Sequence, residues 1–193
     1  TMGPGTTLQA AAAGLSGITL SVVNNVALSG STTFDSQTGP LTVGGVISGP
    51  SGSVTKIGSG TLTLTASDTY GGSTTVNAGT LALSGSGAIG QSAVDLAASG
   101  TTLDVTAANS PAIGSLSGVG GSTVNLGGAT LTVNETGVST FGGALVGGNS
   151  SDVFLQGGGN LVLTGANPNM AGSFFIDDGK LSIGPGGSVS AAV

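Results

Sequence analysis

The chain has 193 residues, enough for one domain with a sizeable core, but 39 of them are glycine, 5% are charged and 3% aromatic. A net charge of −6, with Lys56 and Lys180 the two basic residues, leaves nothing to neutralise a run of nucleic-acid phosphates or an anionic membrane surface. Cysteine and histidine are absent, which excludes disulfides, thiol chemistry, zinc sites and a Ser-His-Asp triad.

Scarce charge and a positive mean hydropathy argue against disorder, which couples low hydrophobicity to high net charge. Glycine does not recur at every third residue, so collagen is excluded. From the amino end, Thr1–Gly5 carries no basic or apolar leader pattern, and no signal peptide is expected here. Ala10–Ala13 is the one helix-tolerant run. No stretch approaches the length of a transmembrane helix.

Beyond it, aliphatic residues alternate with Thr, Ser or Asn between glycines. The pattern runs through Thr61–Thr65, Thr80–Ser84, Thr102–Thr106, Thr123–Leu126, Thr130–Val133, Asn160–Thr164 and Lys180–Ile183. Period two with β-branched residues predicts half-buried strands, aliphatic side chains facing one way and hydroxyls the other. The fold class is therefore all-β.

Repetition narrows the architecture. Gly60, Leu62, Leu64 and Thr65 match Gly159, Leu161, Leu163 and Thr164. After one inserted residue, Gly72, Val76, Gly79, Leu81 and Leu83 match Gly172, Ile176, Gly179, Leu181 and Ile183. Upstream, Gly44–Ile47 matches Gly142–Leu145. A repeat of roughly 100 residues, with strands recurring about every 20, marks a solenoid whose coils bury their aliphatic rows against one another. A β-sandwich or jelly roll is also all-β, but neither predicts this self-similarity. Nine or ten coils at about 4.8 Å would make a rod on the order of 45 Å long.

Lys56–Thr65 followed by Tyr70-Gly71-Gly72-Ser73-Thr74-Thr75-Val76-Asn77-Ala78-Gly79-Thr80-Leu81 resembles the autotransporter-associated β-strand repeat, also called the passenger-associated transport repeat. A weaker copy follows, with Leu155 in place of the lysine and Asp177-Asp178-Gly179-Lys180 in place of the Asn-Ala-Gly-Thr turn. The resemblance implies a right-handed parallel β-helix (β-solenoid) spanning 1–193, with a strong repeat at 49–83, a degenerate one at 148–183, and spacer coils at 26–48 and 84–147. It also implies a surface stalk in an autotransporter passenger, whose partner during type V secretion is its own outer-membrane β-barrel. Adhesion to host, matrix or neighbouring cells, or self-association, is the alternative.

No catalytic, cofactor or metal residue is expected. Gly85–Gly90 fits G-x-G-x-x-G, but no helical pattern follows it. Asp177-Asp178 is the one adjacent acid pair, and it reads as a turn rather than a glycosidase or Ca²⁺ site. Stacked outward, Thr61/Thr63/Thr65 would neighbour Thr80/Ala82/Ser84, Thr102/Asp104/Thr106, Thr130/Thr132/Asn134 and Asn160/Val162/Thr164, too irregular an array to match an ice or polysaccharide lattice. Asn134 and Asn149 begin glycosylation sequons. Tyr70, Phe154, Phe174 and Phe175 are the candidate contact aromatics; Tyr70 is expected at a coil edge, and one of Phe174 and Phe175 is expected to face out.

Overall fold

The computed structural model describes residues 1–9 and 20–190; the Ala10–Ala13 run lies outside them. Short strands alternate with glycine-rich corners, and strands of successive turns bond to one another in parallel.

The first turn comprises β1 (Thr6–Gln9), β2 (Leu20–Val22) and β3 (Val26–Ala27), one on each of three faces. The second repeats this with β4 (Ser31–Asp35), β5 (Leu41–Val43) and β6 (Ile47–Gly49), and the third with β7 (Ser53–Ile57), β8 (Thr61–Leu64) and β9 (Thr69–Tyr70). Next come β10 (Thr74–Val76), β11 (Thr80–Gly85), β12 (Ile89–Leu96), β13 (Thr102–Ala108) and β14 (Ala112–Gly118). Strands β12 and β14 run straight through a corner, so each belongs to the third face at its start and the first at its end. Thus Ile89 pairs Ile113 and Val94 pairs Leu116, with a register shift between.

The remaining strands are β15 (Thr123–Asn125), β16 (Leu131–Asn134), β17 (Val138–Phe141), β18 (Ala144–Val146), β19 (Val153–Gln156), β20 (Asn160–Leu163), β21 (Ala166–Asn167), β22 (Phe174–Ile176), β23 (Lys180–Ile183) and β24 (Ser188–Val189). The first half of β14 leads to β16, β19 and β22 on the third face, and its second half to β17, β20 and β23 on the first. This is a parallel β-solenoid of about eight turns. This is fewer than the nine or ten expected, since turns run a little longer than the strand period and β23 and β24 begin a further turn that is not completed among the described residues.

The aliphatic members of the alternation point inward, as predicted. On the second face Leu41, Leu62, Leu81, Leu103, Val124 and Leu145 stack in one row, none more than 1% exposed. Each is covered by its neighbours in the turns above and below, so no coil buries its row alone.

On the first face the row runs Phe34, Lys56, Val76, Leu96, Gly118, Phe141, Leu163. Gly118 is there because a Cβ would lie 2.9 Å from Phe141 Cε2 and 3.1 Å from Leu96 Cβ. Gly143 makes room for the same ring, its virtual Cβ falling 2.6 Å from Phe141 Cζ.

Gly118→Val should therefore overpack the row and destabilise the fold by about 1–3 kcal/mol. Denaturant unfolding would check this, and adding Phe141→Leu should return part of the loss.

Candidate functional site

The outward faces are hydroxyl-rich. On the second face Thr61, Thr80, Thr102 and Thr123 form one aligned row. The next row reads Thr42, Thr63, Ala82, Asp104, Asn125, Val146. Thr61/Thr63, Thr80/Ala82 and Thr102/Asp104 thus stack as the sequence suggests, but the fourth member is Thr123/Asn125. Thr132 sits on the third face opposite Phe154, and Val162 on the first opposite Thr140. The later alternating segments fall on other faces because their spacing along the chain from Thr102 is not a whole number of turns. The single threonine row that remains is no lattice.

The candidate aromatics separate cleanly. Tyr70 is buried rather than at an edge, and its hydroxyl makes a 2.6 Å bond with Thr74 Oγ1, itself 2.7 Å from Ser92 Oγ. A chain of three hydroxyls satisfies the phenol inside the core, where burial raises its pKa well above the ordinary tyrosine range. Phe174 packs against the core while Phe175 faces out, 49% exposed. Phe154 pairs Phe175 across β19 and β22, with ring centroids 6.3 Å apart and an interplanar angle of 27°.

Gly85–Gly90 joins two strands, β11 and β12, so no helix N-terminus is there to receive a phosphate. Gly87 is held close to the main chain instead, where a Cβ would fall 2.3 Å from Leu64 O. Asp177 and Asp178 form the exposed corner between β22 and β23. Asn134 is enlisted in the ladder: its Nδ2 donates to Gly90 O and Ile113 O, and its Oδ1 accepts from Gln156 Nε2. Asn149 is exposed.

An open trough of about 580 Å³ lies where β12 and β14 turn the corner, floored by Gly90, Ala93, Gly114 and Ser115 and walled by Asn134–Ser139. Its acid, Glu135, is 2% exposed and already engaged, accepting from the Gly137 N–H at 3.3 Å and from the Ser139 hydroxyl. Among the described residues no three acids cluster in a way that could hold a metal ion.

The most unusual chemistry is interior. Lys56 is fully buried, and its Nζ donates to Ile57 O at 3.0 Å, Gly58 O at 2.7 Å and Ala78 O at 2.9 Å. Three N–H donors thus meet three carbonyls at the corner between the first and second faces. Burial pulls the ammonium down to about 8, against a smaller upward pull from Asp35. Burial pushes the Asp35 carboxyl up, but N–H donors of Gln37 and Gln9 together with the Lys56 charge outweigh it and leave it below its ordinary value. Alternation signals Lys56 in the sequence, since it shares the parity of Val54.

Residues 54–83 and 155–183 match the family model described as the passenger-associated-transport-repeat. Each stretch falls within one of the two repeats read from the sequence, at 49–83 and 148–183. No curated protein and no solved structure matches the chain. In the first repeat the matched stretch contains Lys56, Tyr70 and the Asn77–Gly79 corner, all interior or corner features rather than outward ones.

Lys56→Ala should destabilise the fold by about 3 kcal/mol or more, because it opens a cavity and orphans buried carbonyls. Urea unfolding at pH 7 measures the loss. A double-mutant cycle of Phe154→Ala and Phe175→Ala should return a coupling of about 0.5–1.5 kcal/mol from the stacked pair.

Proposed function

We propose that this chain is a non-catalytic rod in the passenger of a bacterial autotransporter. It supports type V secretion by folding outside the outer membrane and then stands as a surface stalk. The observation that carries the reading is that both passenger-associated-transport-repeat stretches lie within one continuous parallel ladder. Within each repeat, strands of one turn template those of the next: β7 receives β10 and β8 receives β11, while β19 receives β22 and β20 receives β23. A chain emerging through its own β-barrel can add turns to such an edge one at a time. Each added turn buries apolar rows and favours outward movement. The scarcity of charge and the lack of cysteine suit passage of an unfolded chain without disulfide arrest.

Adhesion or self-association is the second reading. It is favoured by the last described turn, where Phe175, Ile176 and Ile183 are each about half exposed. Ile176 and Ile183 belong to inward rows that no later described strand covers. Concentration-dependent association that is lost in an Ile176→Ser, Ile183→Ser variant would favour this reading over the stalk.

The test of the stalk places the chain between a signal peptide and a type V barrel in a Gram-negative host. Leu62→Asp and Leu163→Asp put a charge into fully buried rows. Both should lower protease-accessible surface display several-fold, whereas Leu62→Met should not. Undiminished display of the Asp variants would overturn the proposal.

A further inference from the structure

The third turn carries a carboxyl group where the ladder calls for a hydrogen-bond donor. Asp68 falls in the inward row of the third face, between Ile47 one turn before and Ile89 one turn after. It is 5% exposed. Its Oδ1 accepts the Ile47 N–H at 2.7 Å. Its Oδ2 is buried with no hydrogen-bond partner.

The second repeat supplies the comparison. Asn167 stands at the matching position and uses its Oδ1 in the same way, accepting the Leu145 N–H at 2.6 Å. Its other arm is a donor: Nδ2 bonds Gly165 O at 2.8 Å and Ser188 O at 2.9 Å. The counterparts of those two residues are Ala66, two residues before Asp68 in the chain, and Ala88, whose carbonyl accepts the Asp68 N–H across the ladder. A carboxylate offers no donor there, and an unpaired buried charge is costly.

We propose that Asp68 is carried in the folded coil as a neutral carboxylic acid. Its single Oδ2–H takes one of the two donor roles that Asn167 Nδ2 takes in the second repeat. The joint between the third and fourth turns is then tightened by acid and loosened as that proton leaves.

The surroundings supply no charge that would favour ionisation. The preceding strand presents Ile47, Ser48 and Gly49, and the following turn Ala88, Ile89 and Gly90, none of them titratable. On its own strand Tyr70 is a buried neutral phenol. On the adjoining first face, Lys56 is spent on the Ile57, Gly58 and Ala78 carbonyls, and Asp35 on Gln9 and Gln37. Burial accordingly lifts Asp68 to about 7, against a smaller lowering by the Ile47 N–H.

The sign follows from linkage. Below the ordinary carboxyl range, near 4, both folded and unfolded chains hold the proton and the joint has its full strength. Between about 4 and 7 the unfolded chain ionises first, so stability falls as pH rises, by up to about tenfold in the folding constant per pH unit. Above 7 the loss is complete, on the order of 10³-fold.

Two measurements on the chain decide it. The side-chain carboxyl ¹³C shift of Asp68 should titrate with a midpoint near 7; a midpoint in the ordinary range near 4 overturns the proposal without any variant. Urea unfolding from pH 4 to about 7.5 should show wild-type stability falling as pH rises; above that range the depressed Lys56 ammonium adds a rise of its own. Asp68→Asn should lose that fall and be the more stable chain at pH 8, and Asn167→Asp should acquire a similar fall. If Asp68→Asn retains the wild-type pH dependence, the carboxyl is not its source.

Discussion

The interaction on which everything else depends is the parallel main-chain ladder between successive turns. It holds neighbouring strands about 4.8 Å apart, so every inward residue rests on one residue of the turn below and carries one of the turn above. Along the first-face row, from Phe34 through Lys56, Val76, Leu96, Gly118 and Phe141 to Leu163, each member has a fixed partner. Medium aliphatics fill such a column unaided. A larger group requires a concession next to it. Phe141 has two glycines at its ring, and Tyr70 has the hydroxyls of Thr74 and Ser92 to receive its own.

The same constraint explains the polar groups inside. A corner frees main-chain carbonyls and N–H groups that the ladder does not pair, and water is excluded from the core. Lys56 closes one such gap with three donors. Asn167 closes another by accepting from the turn before and donating to the turn after. Asp68 closes half of the same gap. These residues are interior fittings of the rod, each answering a local deficit in the backbone.

Strands, inward rows and the solenoid itself were legible because alternation and long-range self-similarity are properties of the sequence. Phe175 facing out and Phe174 facing in follows from the same parity. Tyr70 was misplaced at an edge, since the Gly-Gly corner after it gives no hint of the Thr74–Ser92 pair that receives its hydroxyl. The threonine array failed beyond Thr102 for a different reason. The stacking order assumed that every alternating segment adds to the same column, whereas the segments beginning at Thr130 and Asn160 fall on the third and first faces, a fraction of a turn out of step with Thr102. The roles of Lys56 and Asp68 depend on which carbonyls and N–H groups meet in space, which parity alone does not tell.

The change of face between the two copies bears on what the repeats are for. In the first repeat β7 and β10 lie on the first face and β8 and β11 on the second; in the second repeat β19 and β22 lie on the third and β20 and β23 on the first. The spacing between the copies is therefore not a whole number of turns, and the outward residues of the two copies do not share one surface. A sequence unit kept for binding through one face would have to return to that face. A unit kept for stacking has no such need, because any face can template the next turn. Most of the residues that the two copies share, among them Leu62 with Leu161, Leu64 with Leu163, and Gly79 with Gly179, are inward aliphatics and corner glycines; Thr65 with Thr164 and Ser73 with Ser173 are the polar exceptions. The rotation and the kind of residue shared both favour stacking over surface recognition as the job of the repeat.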